Sequence, residues 1–156
     1  MASWSDIERD APELAARARA IFDAYTHKTL ATLRRDGSPR ISGIELEFKD
    51  GEIWLGSMSN GVKALDLRRD PRYALHSGTG EAGTDWAGDA KVAGRAEEIT
   101  DLERVREING PKASGDSHLF RADVDELVIV AIGTPRDHLL IETWHTGRGY
   151  ESFKRY

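Results

Sequence analysis

Apolar and polar positions follow two periods along this chain. Between Pro12 and Ala24, Leu14, Ala18, Ile21 and Phe22 recur at helical spacing. This predicts an amphipathic helix with Pro12 in its first turn and Asp10 or a neighbour as its cap. Further on the period drops to two. Ile44, Leu46 and Phe48 alternate with Glu45 and Glu47, the pattern of a strand with one buried face. The run KTLATLRR precedes it and EIWLGS follows, with the turn pairs Asp36-Gly37 and Asp50-Gly51 between the runs. That spacing predicts a meander of three antiparallel strands.

The second half continues with strand-like runs at RYALHS, AKVAGRAEEIT, ELVIVAIG and HLLIETWH. TDLERVREI predicts a short helix with Thr100 as cap and Glu103 closing a capping box, ending near Asn109-Gly110-Pro111. Many short strands, two or three helices, no βαβ rhythm and no repeat predict a mainly β fold, an antiparallel barrel with peripheral helices. It is expected as one domain over residues 1–156, with a helix at about 12–24 and the barrel at about 28–145.

Composition narrows the partners. The chain has 22 basic and 27 acidic residues, a net charge of −5, so nothing overall favours nucleic acid or an anionic membrane. It has no cysteine, which excludes a disulfide scaffold and a thiolate metal site and agrees with a cytoplasmic setting. No run is as long or apolar as a membrane span, and the first residues lack the apolar core of a signal peptide. The five histidines, His27, His76, His118, His138 and His145, have no zinc-type spacing, and there is no GxSxG. Structural or surface roles suit them, with His76 and His145 as possible pocket residues. GTGEAGTDW lacks the Lys-Ser or Lys-Thr of a phosphate loop and precedes a strand rather than a helix.

The stretch SMSNGVKALDLRRDPR carries the candidate chemistry. Ser57 ends a strand, and a helix begins at Ser59, Asn60 or Gly61. A helix start has unpaired N–H groups and a positive dipole end; Lys63 adds a full charge, and Gly61 allows close backbone approach. The corner is either an ordinary junction or an anion site. Arg40, on the same strand face as Ser42 and Ile44, either meets an anion or makes an ion pair at the rim.

In order and spacing, DGSPR, DGEIWLGS, the following Lys, LRRDPRYAL, KVAGRAEEI and HLLIETWHTGRGY resemble the pyridoxamine 5'-phosphate oxidase-like, flavin-binding split-barrel superfamily, from about Thr29 to Tyr150. The resemblance implies a homodimer of antiparallel split barrels with flavin sites at the subunit interface. It places Arg40 and Lys63 at the cofactor phosphate and Ser57 at a hydroxyl contact. Gly56, Met58 and Gly61 supply backbone around the groove, Trp144 lies near the ring system, and Trp86 belongs to a lid. Phe48 and Trp54 are expected in the core or at the dimer contact. Val62 stands where the oxidases have a second phosphate arginine and Glu45 where they have a lysine, and the ending WHTGRGYESFKR lacks their substrate motif. These departures argue against oxidation of pyridoxamine phosphate itself. The resemblance therefore implies an oxidoreductase moving a hydride or electrons between a reduced cofactor and a small organic substrate. FMN is the expected cofactor, with an 8-hydroxy-5-deazaflavin coenzyme as the alternative and no catalytic side chain assigned. The other class is a non-catalytic binder of haem, a tetrapyrrole or flavin on the same barrel.

Overall fold

The run from Arg40 to Phe48 reads as one strand, and the structure bends it. The computed structural model describes residues 1–80, 83 and 85–156. In it the run divides at Glu45 into β2 (Pro39–Ile44) and β3 (Leu46–Lys49). β2 pairs with β1 (Lys28–Leu33), and β3 pairs with β4 (Glu52–Ser57), Leu46 lying opposite Leu55. The three-strand meander is thus corrected to two separate hairpins. The remaining strands are β5 (Arg72–His76), β6 (Asp89–Glu98), β7 (His118–Ile132), β8 (Leu139–His145) and β9 (Gly149–Arg155). The sheet order is β2-β1-β5-β6-β7-β4-β3. Its two ends, β2 and β3, follow each other in the chain through Glu45, so the bend turns the antiparallel sheet round toward a barrel, while among the described residues β2 pairs with β1 and β3 with β4 and no ladder joins the two.

β7 carries the split. Its residues His118–Ala122 pair with β4 and Glu126–Ile132 with β8, while β6 follows its other edge. Between the two ladders the N–H and C=O of Val124 need partners. Ala2 supplies both, donating to the Val124 carbonyl at 3.0 Å and accepting from its N–H at 2.8 Å. Opposite β6 the register shifts between Ala93 and Gly94, which face Glu126 and Val124, so the extra residue of the bulge is Asp125 of β7. Among the described residues β9 pairs only with β8.

The helices cover the barrel. The sequence pattern missed α1 (Trp4–Asp10), whose cap is Ser3 in a capping box with Asp6. Asp10 therefore ends a helix rather than capping one, and α2 (Pro12–Asp23) starts from Ala11 with no side-chain cap. Trp4, Ile7, Leu14, Ala18 and Phe22 are buried, and Trp4 meets Phe48 edge-on at 4.9 Å between ring centroids. Arg17 fastens α2 to β8 through two bonds to the buried Glu142, at 2.8 and 2.5 Å, and Glu142 also accepts from the Tyr150 hydroxyl at 2.7 Å. α4 (Leu102–Asn109) is capped by Asp101, which accepts from the Glu103 N–H, rather than by Thr100. Trp54 packs there with Val105, Ile108 and Leu119. Among the described residues no helix is long and apolar enough to cross a membrane.

Gly94 tests the split. A Cβ there would stand 2.0 Å from the Asp123 carbonyl oxygen, whereas one at Gly43 would meet nothing within 4 Å. Backbone cannot yield as a side chain does, so Gly94→Ala is expected to destabilise the fold by roughly 2–3 kcal/mol in urea unfolding. Gly43→Ala is expected to stay within about 0.5 kcal/mol of the parent.

Candidate functional site

β4 ends at Ser57, and the residues from Met58 to Gly61 turn the chain into α3 (Val62–Arg69). Asn60 takes a φ of 56° and Gly61 is the cap residue. None of the corner hydroxyls caps the helix; Ser57 Oγ donates to the neighbouring Met58 carbonyl at 3.2 Å instead. A Cβ at Gly61 would lie 2.3 Å from Ser57 Oγ, a hydroxyl that can rotate aside, and 3.1 Å from the Met58 carbonyl oxygen. α3 thus presents its positive end without a side-chain cap, the local condition for holding an anion. Lys63, in the first turn, donates to the Gly43 carbonyl at 3.0 Å and ties α3 to β2.

An open groove of about 840 Å³ runs past this corner. Gly56, Ser57, Met58 and Lys63 line one side, and His27, Glu45 and Glu47 line another. Among the described lining residues Lys63 is the only Lys or Arg. The two glutamates repel an anion, so the field confines an anionic group to the Ser57–Lys63 end.

Of the six residues singled out in the sequence, the groove gathers Ser57, Met58 and Lys63, with Gly61 packed behind Ser57. Arg40 does not line it. Its Nε donates to Asp66 at 2.7 Å, so of the two readings left open for Arg40 the ion pair is present. Asp66 is buried and also accepts from the Thr32 hydroxyl at 2.8 Å and Arg69 at 2.9 Å. Trp144 is 3% exposed and packed in the core opposite Leu127, away from the groove of its own chain. Glu142, Thr143 and Trp144 are buried in succession along β8. Trp86 lines a different cleft, of about 710 Å³, with Arg17 and Tyr25. The rest of the expected lid includes Glu81, Ala82 and Thr84, which lie outside the described residues.

Three interacting residues escaped the sequence reading. Asp66 is one, since an Asp between two leucines gives no sign of burial. His118 and Glu98 are the others. His118 is buried at the start of β7, with Nε2 3.1 Å from the Asn60 amide and Nδ1 2.9 Å from Glu98. Glu98 also accepts two bonds from Arg68, at 2.6 and 2.8 Å. The Arg68 bonds, opposed by burial and helped by His118, hold the Glu98 carboxyl down to about 2. Burial pushes the Asp66 carboxyl up, and the bonds from Arg40, Thr32 and Arg69 outweigh it, leaving it below the ordinary carboxylate range. Among the described residues no group of three His, Asp or Glu side chains is placed to hold a metal ion.

The family profile described as pyridoxamine 5'-phosphate oxidase matches residues 14–131. No curated protein sequence matches the chain. Among solved structures, a pyridoxamine 5'-phosphate oxidase-related, FMN binding protein from Nostoc punctiforme superposes with a TM-score of 0.63 at 12% identity, covering 93% of this chain and 94% of that one. PhzG from Burkholderia lata 383, in complex with tetrahydrophenazine-1-carboxylic acid, gives 0.64 at 13% identity, covering 97% and 92%. A heme binding protein from Mycobacterium smegmatis gives 0.56 at 19% identity, covering 91% and 87%. At these identities the likenesses carry the fold.

Asp66→Asn leaves two arginines facing a neutral amide and is expected to lower stability by about 3 kcal/mol in chemical denaturation. Glu98 gives a pH signature. Its folded value lies below its ordinary value of 4.5, so its contribution is complete above about pH 5 and is lost as pH falls toward about 2. Glu98→Gln is therefore expected to cost on the order of 2 kcal/mol at pH 7, discounted for the half-exposed Arg68, and to converge on the parent in acid.

Proposed function

We propose that this chain, which belongs to the pyridoxamine 5'-phosphate oxidase family, binds a flavin-type cofactor by its phosphate at the Ser57–Lys63 corner and works as an oxidoreductase on a small organic substrate. The observation that carries the reading is the uncapped start of α3 beside Lys63, with Gly61 letting the helix sit directly against Ser57. These residues fit a phosphate, which needs backbone donors and a cation within one turn. FMN is the preferred ligand, and an 8-hydroxy-5-deazaflavin coenzyme is the alternative. The bound cofactor supplies the hydride or electron chemistry. The chain's own part is to hold the phosphate, to keep other anions from the Glu45–Glu47 side, and to bury one face of the ligand.

The groove is open on one side, and a second copy of the chain is the wall we assign to it. Ile41, Met58, Val62 and Leu65 are exposed on β2, the corner and α3, an apolar surface beside the groove that a homodimer would cover. A second reading, a haem or tetrapyrrole binder without catalysis, is favoured by His27 and Met58. Both line the groove with exposed side chains of the kinds that ligate haem iron.

The visible spectrum of the purified protein, followed by titration with FMN and with haemin, decides between them. A flavin band that falls with added reduced nicotinamide and returns with an acceptor supports the first reading. A Soret band with no flavin signal overturns it. Lys63→Ala is expected to weaken FMN binding at least tenfold, about 1.5 kcal/mol or more, because the phosphate loses its charged partner. Val62→Arg, which places a second cation on the exposed first turn of α3, is expected to tighten it. Sedimentation is expected to show a dimer at micromolar concentration.

A further inference from the structure

The corner that would hold the phosphate is itself held by an imidazole. Asn60 carries a left-handed backbone with a φ of 56°, a conformation that asparagine adopts more readily than other side-chain-bearing residues do. Its N–H points at His118 Nε2, 3.1 Å away. A backbone N–H only donates, so Nε2 is the acceptor and carries no proton. A carboxylate only accepts, so the proton sits on Nδ1, 2.9 Å from Glu98. Arg68 Nη2 also lies 3.2 Å from Nδ1. Both groups are donors, and Arg68 finds its acceptor in Glu98 instead. The geometry thus selects one neutral tautomer of a side chain that can also carry a proton on both ring nitrogens.

We propose that His118 is the positioning residue of the anion corner: neutral, it accepts the Asn60 amide and sets the path from Ser57 to Gly61; protonated, it sets a second donor against that amide and releases the corner. Ligand hold at the Ser57–Lys63 end then follows the protonation of His118. The groups facing the imidazole are Arg68 from α3, which opposes the imidazolium, and Glu98 from β6, which favours it. Asn60 faces it from the corner, and Asp116 lines the same small cavity from the loop before β7. Phe120, on β7 itself, stacks at 6.5 Å. The inference rests on the phosphate reading of the corner only for its ligand; the latch itself belongs to the unliganded protein.

Two substitutions separate the ring's two nitrogens. His118→Gln keeps an acceptor where Nε2 stands and loses the contact to Glu98. His118→Asn keeps a donor where Nδ1 stands and loses the acceptor. The dissociation constant for FMN is measured between pH 5.5 and 8.5 in all three proteins. The phosphate's own second ionisation, near about 6, moves every profile alike, so the reading is the difference between profiles. The parent is expected to lose about tenfold more affinity in acid than His118→Gln, and His118→Asn to bind about tenfold more weakly than the parent at pH 8.5. Loss of affinity in His118→Gln equal to that in His118→Asn, or parallel profiles for the parent and His118→Gln, overturns the latch. If the parent binds no FMN at any pH, the flavin reading fails. The latch is then decided without ligand by the Asn60 amide proton resonance. It is expected to shift with pH in the parent and to stay constant in His118→Gln; a pH-independent resonance in the parent overturns the proposal.

Discussion

A long strand in a small barrel must have a partner for every backbone group along both edges, and β7 meets that demand with two neighbours on one edge. β4 serves its first residues and β8 its last. The exchange leaves a gap that Ala2 fills and a kink that Gly94 permits. It also decides where the corner lies. The β4 ladder ends with Ser57 opposite His118, so the chain leaves the sheet at the residue whose ring receives the Asn60 amide. The split that gives the barrel its shape and the support beneath the anion corner have one origin in the start of β7.

Charge is distributed on the same economy of partners. Asp66 takes up Arg40 and Arg69 together, and Glu98 takes up Arg68. Three of the cations near α3 are thereby bound to the fold, and Lys63 remains at the groove. A buried carboxylate that held no arginine would be costly, and an arginine without its carboxylate would be a stronger anion site. The fold gains a rigid platform under α3, and among the described lining residues of the groove Lys63 is the only Lys or Arg, opposed by Glu45 and Glu47.

Much of this was legible in the chain. Period-two alternation marked the strands, and the turn pairs marked their ends. The resemblance carried by DGSPR, DGEIWLGS and LRRDPRYAL, read in order, gave the split barrel. The bend at Glu45 was hidden because alternation continues through it: Ile44 is buried, Glu45 exposed and Leu46 partly buried, as in an unbroken strand. Pattern reports which face a side chain takes and is silent on which strand lies alongside. α1 was missed although Ser3 and Asp6 announce it, because its buried residues Trp4 and Ile7 are too few to show a period. At the corner, Ser57, Gly61 and Lys63 declared themselves by type and spacing. Asp66 and His118 could not, since their roles depend on Arg40, 26 residues from Asp66, and on Asn60, 58 residues from His118. Arg40 and Trp144 were recognisable as residue types, while their surroundings in this chain, an aspartate and the core, follow from packing alone.

One lysine and an uncapped helix turn give a phosphate a few kcal/mol at most. An open groove solvates much of whatever else lies in it. A cofactor held mainly by such a corner would exchange readily unless its ring were covered on both faces, and this chain offers one face. The apolar surface of Ile41, Met58 and Val62 beside the groove would remain wet in a monomer and dry against a second copy. Desolvation of that surface and of the ring would then occur in one event, and each would strengthen the other. On this physics, dimer formation and cofactor retention in a chain that did both would be a single equilibrium. A corner with one cation would leave retention more dependent on the second copy than a corner with two, because a single chain would hold the cofactor less tightly on its own.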